Sequence, residues 1–389
     1  MITRKQLFVM SVATGVNVAN IYYNQPILNN IADDLKVSHM AVGNLPTLCQ
    51  AGYGLGLFLV SPLGDKLDKK RLILILHLLL AFSLLGLAFT KNIYILYILS
   101  LLIGIFAVSV QVIIPMAAAM SPKNKGKIVG TIFSGLLGGI LIARTISGYI
   151  TRWFDNWHYI FGISAFLVLL CALAIQKSLP NMESNFNSNY ISLIKSSILQ
   201  LKRFPLLRYN SLLIALTFGI FCSFWTTLTF KLSQSPFNYK SDIIGLFGIL
   251  AIAGVVFAPK IGKLADKFDP FFTKIFAVLM IIFSIFLIKI FENSLISFII
   301  ATIFLDIGVQ AVQISNLAQI YTLDEKAHSR INTAYMSIMF LGGSIGTFVG
   351  VFAWQIGSWR YVTSQLLVWG FFALLILFFN FKSRKIQIK

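Results

Sequence analysis

Apolar runs of about twenty residues recur along nearly the whole chain, and few folds accommodate them. A bilayer core of about 30 Å takes roughly 20 apolar residues in helical form, because backbone polar groups in lipid must be satisfied within their own segment. Twelve such runs fall at about 7–30, 41–63, 72–90, 93–119, 128–150, 158–176, 210–230, 243–261, 271–291, 294–320, 332–356 and 361–381. Of the 389 residues, 57% are hydrophobic and 12% charged, with a mean hydropathy of +0.83. Soluble domains carry about 25% charged residues, so a soluble enzyme is excluded. The expected fold is an all-α membrane protein of twelve transmembrane helices.

Lys and Arg number 32 against 13 Asp and Glu, a formal charge of +19. In a cytosolic protein that excess would suggest nucleic acid. Here the cations lie between apolar runs, so the expected partner is a lipid bilayer, with no nucleic acid. One set of alternate loops holds clusters such as Arg4 and Lys5; Lys66, Lys69, Lys70 and Arg71; Lys123, Lys125 and Lys127; and Lys382, Arg384, Lys385 and Lys389. The other set holds only Lys36, Lys91, Arg152, Lys231, Lys240, Lys289 and Arg360. Cytoplasmic loops retain basic residues, which places both termini in the cytoplasm. Arg4 and Lys5 before an apolar stretch also imitate a secretory signal, but the stretch runs on to residue 30 without a small-x-small cleavage site, so it is expected to be retained. Cys49, Cys171 and Cys222 each sit alone inside an apolar run, as small core residues would.

The longest polar stretch, 178–209, divides the chain into halves at 1–177 and 210–389. Within it Ile191, Ile194, Ile198 and Leu201 share a helical face, which suits either a helix on the inner leaflet or a solvated linker. The halves match at a constant offset. Gly104 and Asp306, Gln111 and Gln313, and Trp157 and Trp359 are each 202 apart, while Gly64-x-x-x-Asp68-Lys69 and Gly262-Lys263-Leu264-Ala265-Asp266-Lys267 are 198 apart. Six plus six spans in parallel copies is a transporter plan.

These features resemble the major facilitator superfamily over nearly the whole chain. Gly262 to Lys267 is similar to that superfamily's signature between spans two and three; the first copy, Gly64 to Arg71, keeps its acids and bases but lacks the later glycine. Asn20-x-x-x-Asn24-Gln25-Pro26, Ser134-Gly135-Leu136-Leu137-Gly138-Gly139 with Arg144, and Phe224-Trp225-Thr226-Thr227 resemble bacterial exporters of the drug:proton antiporter type. That group's glycine-proline signature in the fifth span is incomplete here, with Arg144 standing where proline is expected. The resemblance implies two pseudo-symmetric six-helix bundles and a central cavity lined by Asn17, Asn20, Asn24, Gln111, Trp225, Asp306, Gln310 and Gln313. It also implies a cytoplasmic gate at Gly64, Asp68, Lys69, Arg71, Gly262, Asp266 and Lys267.

Apart from His77, two ionisable groups lie well inside the spans, Arg144 and Asp306. A charge at mid-membrane costs about 2.5–3.5 kcal/mol on insertion scales, so such a residue is a functional candidate. A carboxyl there can exchange a proton as a cavity opens to either side, which makes Asp306 the candidate coupling site, with Arg144 as the accompanying cation. A structural role, in which both merely hold helices together, is the alternative. Gln310 and Gln313 continue the Asp306 face at i+4 and i+7. His77 is expected to make one helix-helix bond. The fifth span carries Gly130, Gly135, Gly138, Gly139 and Gly148, and the eleventh Gly342, Gly343, Gly346 and Gly350, at spacings that permit close helix contact. No Walker loop, catalytic triad or metal cluster is present in the sequence, so neither enzyme activity nor a cofactor is expected. The reading is a monomeric, proton-coupled exporter of small organic molecules in a bacterial inner membrane. An importer or uniporter of a sugar, nucleoside or organic acid, or an exporter of siderophores or other metabolites, presents the same polar cavity. A membrane receptor would need no ionisable residue at mid-membrane.

Overall fold

The computed structural model describes residues 2–121, 124–182, 190–254, 256–257, 270–324 and 327–387. All regular structure among them is helical. In chain order the helices are α1 (Arg4–Ala19), α2 (Leu28–Leu35), α3 (His39–Leu59), α4 (Lys69–Phe89), α5 (Ile93–Ala107), α6 (Val110–Met120), α7 (Lys125–Phe154), α8 (His158–Ser178), α9 (Tyr190–Arg203), α10 (Pro205–Ser233), α11 (Ser241–Leu250), α12 (Pro270–Ile290), α13 (Leu295–Ile320) and α14 (His328–Gln387). Among the described residues eight helical stretches are long and apolar enough to cross a membrane. The chain is therefore a multi-pass membrane protein.

That number is smaller than twelve for physical reasons. The first apolar run is helical in pieces, α1 and α2, joined through a 3-10 turn at Gln25–Ile27. The third helix, α3, is long enough, but Asn44, Pro46, Gln50 and several glycines lower its hydropathy. The segment α14 counts once, yet its 60 residues are two helices in succession, each long enough to cross a bilayer core. It is broken at Gly357 and Ser358, where Ser358 takes the left-handed φ of 51°.

Contacts divide the chain into two units, 1–194 with 240–248, and 195–239 with 249–389. In the first, α3 packs on α5, α4 on α8, and α1 on α7. Its core joins Met10 and Ala13 of α1, Leu72, Ile73 and Leu76 of α4, Val112, Ile113 and Met116 of α6, Ile128 and Ile132 of α7, and Cys171 and Ile175 of α8. In the second, α10 lies along α14, and α12 packs on α13. Large side chains such as Phe82, Phe89, Trp153, Phe166, Phe276 and Phe371 point outward, as lipid permits and water does not.

The two tryptophans 202 residues apart both donate an indole N–H, but to acceptors at different places. Asp155, with φ 48°, precedes Trp157, whose indole Nε1 donates to Asp34 Oδ2 at 3.1 Å. Ser358 precedes Trp359, whose Nε1 donates to the Ile288 carbonyl at 3.1 Å. Gly52 presses on α5 at Leu101 and Ile105, and Gly254, 202 residues later, approaches α13 at Asp306 and Gln310, about one turn beyond the matching positions.

Candidate functional site

Asp306 lies midway along α13, buried to 3% exposure, and its Oδ1 accepts a hydrogen bond from Trp225 Nε1 on α10 at 3.3 Å. Phe221 and Phe224 set their rings edgewise against Trp225, with centroids 6.2 and 6.0 Å away. The indole therefore presents its N–H to the carboxyl while two phenylalanine rings brace the indole. Gln310 and Gln313 follow on α13, both half-buried, with Gln310 beside Gly254. At the position matching Asp306 in the first half, Gly104, the helix instead presses directly on the backbone of Cys49 and Tyr53. The carboxyl thus stands where the first copy has only a helix-helix contact.

Arg144 belongs to the first unit and is fully buried. Its Nε donates to Gln25 Oε1 at 2.7 Å, and its guanidinium lies 4.9 Å from the centre of the Tyr22 ring. The aromatic face and the amide both accept positive charge in a dry setting. Gly245 and Gly248 of α11 pack against the Arg144 backbone and Cβ.

The predicted amides are placed on different partners. The Asn17 amide donates to Ser109 Oγ at 2.8 Å and lies 2.9 Å from His77 Nε2. That is the helix-helix bond expected of His77, whose Nδ1 meets the Ile73 carbonyl. Asn20 Oδ1 accepts from Ser164 Oγ at 2.7 Å, and its amide donates to the Val16 carbonyl. Asn24 and Asn20 line a small cavity of about 10 Å³ with Ser100, Cys49 and Trp157, room for about one water. Gln111 is hydrogen-bonded to Tyr53.

A second buried cation escaped the sequence reading. Lys274, in the second turn of α12, is fully buried, and its Nζ donates to Asn210 Oδ1 on α10 at 2.9 Å and to Gln319 Oε1 on α13 at 2.7 Å. Asn210 in turn donates to Gln319, and Asn316 Nδ2 donates to the Asn210 carbonyl and to Tyr335 Oη on α14. One lysine and three amides thereby tie α10, α12, α13 and α14 together. In sequence Lys274 is indistinguishable from its loop neighbours Lys260, Lys263 and Lys267.

At the expected gate, Asp68 caps α4 by accepting the Arg71 backbone N–H at 2.7 Å, and its other oxygen accepts the Met182 backbone N–H at 2.7 Å. The Lys69 N–H meets the Met182 carbonyl, and Gly64 packs on Val112. This acid therefore holds the start of the segment after α8. The ion pairs seen among the described residues lie elsewhere, Lys91 with Asp34 and Arg203 with Asp324. Gly262, Asp266 and Lys267 lie outside the described residues.

Residues 10–351 match the family description Major Facilitator Superfamily. The chain belongs to the major facilitator superfamily. This family is one of membrane transporters rather than enzymes. Among the relatives of this superfamily member, the transporter YgaY of Escherichia coli (strain K12) is 37% identical over 372 residues, which cover 93% of this chain and 94% of YgaY. The multi-drug resistance efflux pump PmrA of Streptococcus pneumoniae serotype 4 is 28% identical over 172 residues, 42% of this chain and 41% of that pump. Its fold is similar to that of a bacterial homolog of the human lysosomal transporter Spinster, solved inward-facing and unoccupied, with a TM-score of 0.76, 12% identity, and coverage of 97% of this chain and 96% of that one.

Proposed function

We propose that this superfamily member is a proton-coupled exporter of small organic molecules, working by alternating access in a bacterial inner membrane as a monomer. In this reading twelve spans form two six-helix bundles joined by 178–209, and both termini are cytoplasmic. The observation that carries it is the lone carboxyl of Asp306, sunk at the middle of an apolar helix and held by the Trp225 indole. A carboxyl kept at that depth serves as a site that loads a proton from one side and releases it to the other. Arg144 supplies a fixed cation on the first bundle. Asn17, Asn20, Asn24, Gln111, Trp225, Gln310 and Gln313 supply an aromatic and amide surface for a solute without a fixed hydrogen-bond pattern. Gly64, Asp68, Lys69, Arg71, Gly262, Asp266 and Lys267 form the inner gate. The efflux activity named for PmrA supports the outward direction.

The test is flux in proteoliposomes under an imposed pH gradient. Solute-driven proton movement is expected in the natural protein and a loss of at least tenfold, about 1.4 kcal/mol or more of coupling, in Asp306→Asn that still purifies as a monodisperse species. Retention of gradient-driven transport by Asp306→Asn removes Asp306 from the coupling role, and solute uptake in place of export reverses the direction.

A further inference from the structure

The helix α9 turns the wrong residues outward for a helix bathed in water. It buries Ser197 and Gln200, at 2% and 4% exposure, and leaves Ile191, Ile198 and Leu199 at 56%, 43% and 56%. Ile191, Lys195, Ile198 and Lys202 follow one another at steps of four, three and four, so they share one outward stripe, with Leu199 beside it. All five are exposed. The stripe expected from the sequence, Ile191, Ile194, Ile198 and Leu201, straddles its edge, with Ile194 and Leu201 half-buried. A face that alternates aliphatic side chains with lysines suits a boundary where the aliphatics enter a hydrocarbon phase and the flexible lysine stems carry their ammonium groups back to the polar side.

The position of the helix fits that boundary. Its first residue, Tyr190, donates its hydroxyl to the carbonyl of Leu59, the last residue of α3. Its last residue, Arg203, pairs with Asp324, just beyond the end of α13, at 2.7 Å. The second anchor sits just past the end of α13, one of the stretches long and apolar enough to cross a membrane, where a lipid headgroup would meet it. No acidic residue occurs between 190 and 203, and Arg203 is engaged by Asp324, so Lys195 and Lys202 are the cations facing outward.

We propose that this face of α9 binds anionic phospholipid headgroups of the leaflet that the basic loops face, with Ile191, Ile198 and Leu199 in the acyl boundary and Lys195 and Lys202 on the phosphates. The proposal rests on the orientation reading and is independent of coupling at Asp306.

The experiment places a spin label at Ile198→Cys in the full chain, whose native cysteines Cys49, Cys171 and Cys222 are all buried. The protein is reconstituted in phosphatidylcholine vesicles with increasing phosphatidylglycerol, and label collisions with oxygen and with a water-soluble nickel chelate are compared. The expected result is protection from the chelate that rises with phosphatidylglycerol. Each of Lys195→Gln and Lys202→Gln is expected to raise the phosphatidylglycerol fraction needed for half protection by about fivefold, the equivalent of the interaction of one surface lysine with an anionic leaflet. A label open to the chelate at every composition overturns the proposal. So does protection that is the same without phosphatidylglycerol, or dipolar broadening showing a second copy against this face. Because accessibility is read without any flux, a failed coupling assignment at Asp306 leaves this outcome unchanged.

Discussion

Trp225 and Lys274 act on the same pair of helices at different depths. The indole fixes α10 to α13 at Asp306, and the lysine fixes them again at Asn210 and Gln319. Removing the ammonium takes the lysine's bond from the buried oxygen of Asn210, while that of Gln319 keeps the Asn210 amide as a donor, and the loss costs about 1–3 kcal/mol. Lys274→Met is therefore expected to lower the thermal unfolding midpoint of the purified protein. Because Gln319, which holds the lysine, lies 13 residues beyond Asp306 on α13, transport by the surviving folded fraction is expected to keep its pH profile; a displaced profile would instead give Lys274 a part in coupling. Asp306 was legible in the sequence because it is the sole charged residue of a long, mostly apolar run. Lys274 was not, since a lysine four residues past a proline in a basic region reads as loop charge, and only its enclosure by three other helices sets it apart. The carboxyl of Asp68 shows the same limit: its type and place were expected, but its bonds to the backbone of Arg71 and Met182 involve groups that every residue possesses.

Helix α7 illustrates how spacing alone leaves the function of a glycine open. Gly135 and Gly139 meet the backbone of α1 at Ser11 and Gly15, and Gly148 meets Ser241, whereas Gly130 and Gly138 face open space. Six glycines recurring along one helix announce close contact, yet which of them make it depends on the azimuth of the neighbouring helix, a quantity absent from the local sequence. Gly139→Ala is expected to cost about 1–3 kcal/mol, because the added methyl drives into the α1 backbone. Gly138→Ala is expected to gain about 0.5–1 kcal/mol from the lost freedom of the unfolded chain. Thermal unfolding of the two variants side by side checks the contrast, and equal effects would mean that α1 and α7 are not packed as described. In α14 the same reasoning applies at Gly342 and Gly346, which meet Ala215 and Gly219 of α10.

Across the whole molecule, hydropathy marked the order of apolar runs, and the 202-residue offset is what suggests two copies. The segments where hydropathy falls short, α1, α2 and α3, owe it to Asn, Gln, Gly and Pro, many of which are buried against other helices; an index that rewards lipid exposure undercounts helices that face protein. Orientation is a property of the entire chain, and reporter fusions test it: enzyme fusions after Lys5 and at the C-terminus are expected to report the cytoplasm, and fusions near Lys36, Lys91 and Lys289 the opposite side. A mixed pattern would break the count of twelve. Finally, the two tryptophan anchors differ in how they can be lost. A single codon change at Asp34 deprives Trp157 of its acceptor, whereas no side-chain replacement at Ile288 deletes the carbonyl that holds Trp359. One anchor is thus mutationally fragile, and the other is held by a group that no substitution at its own position removes.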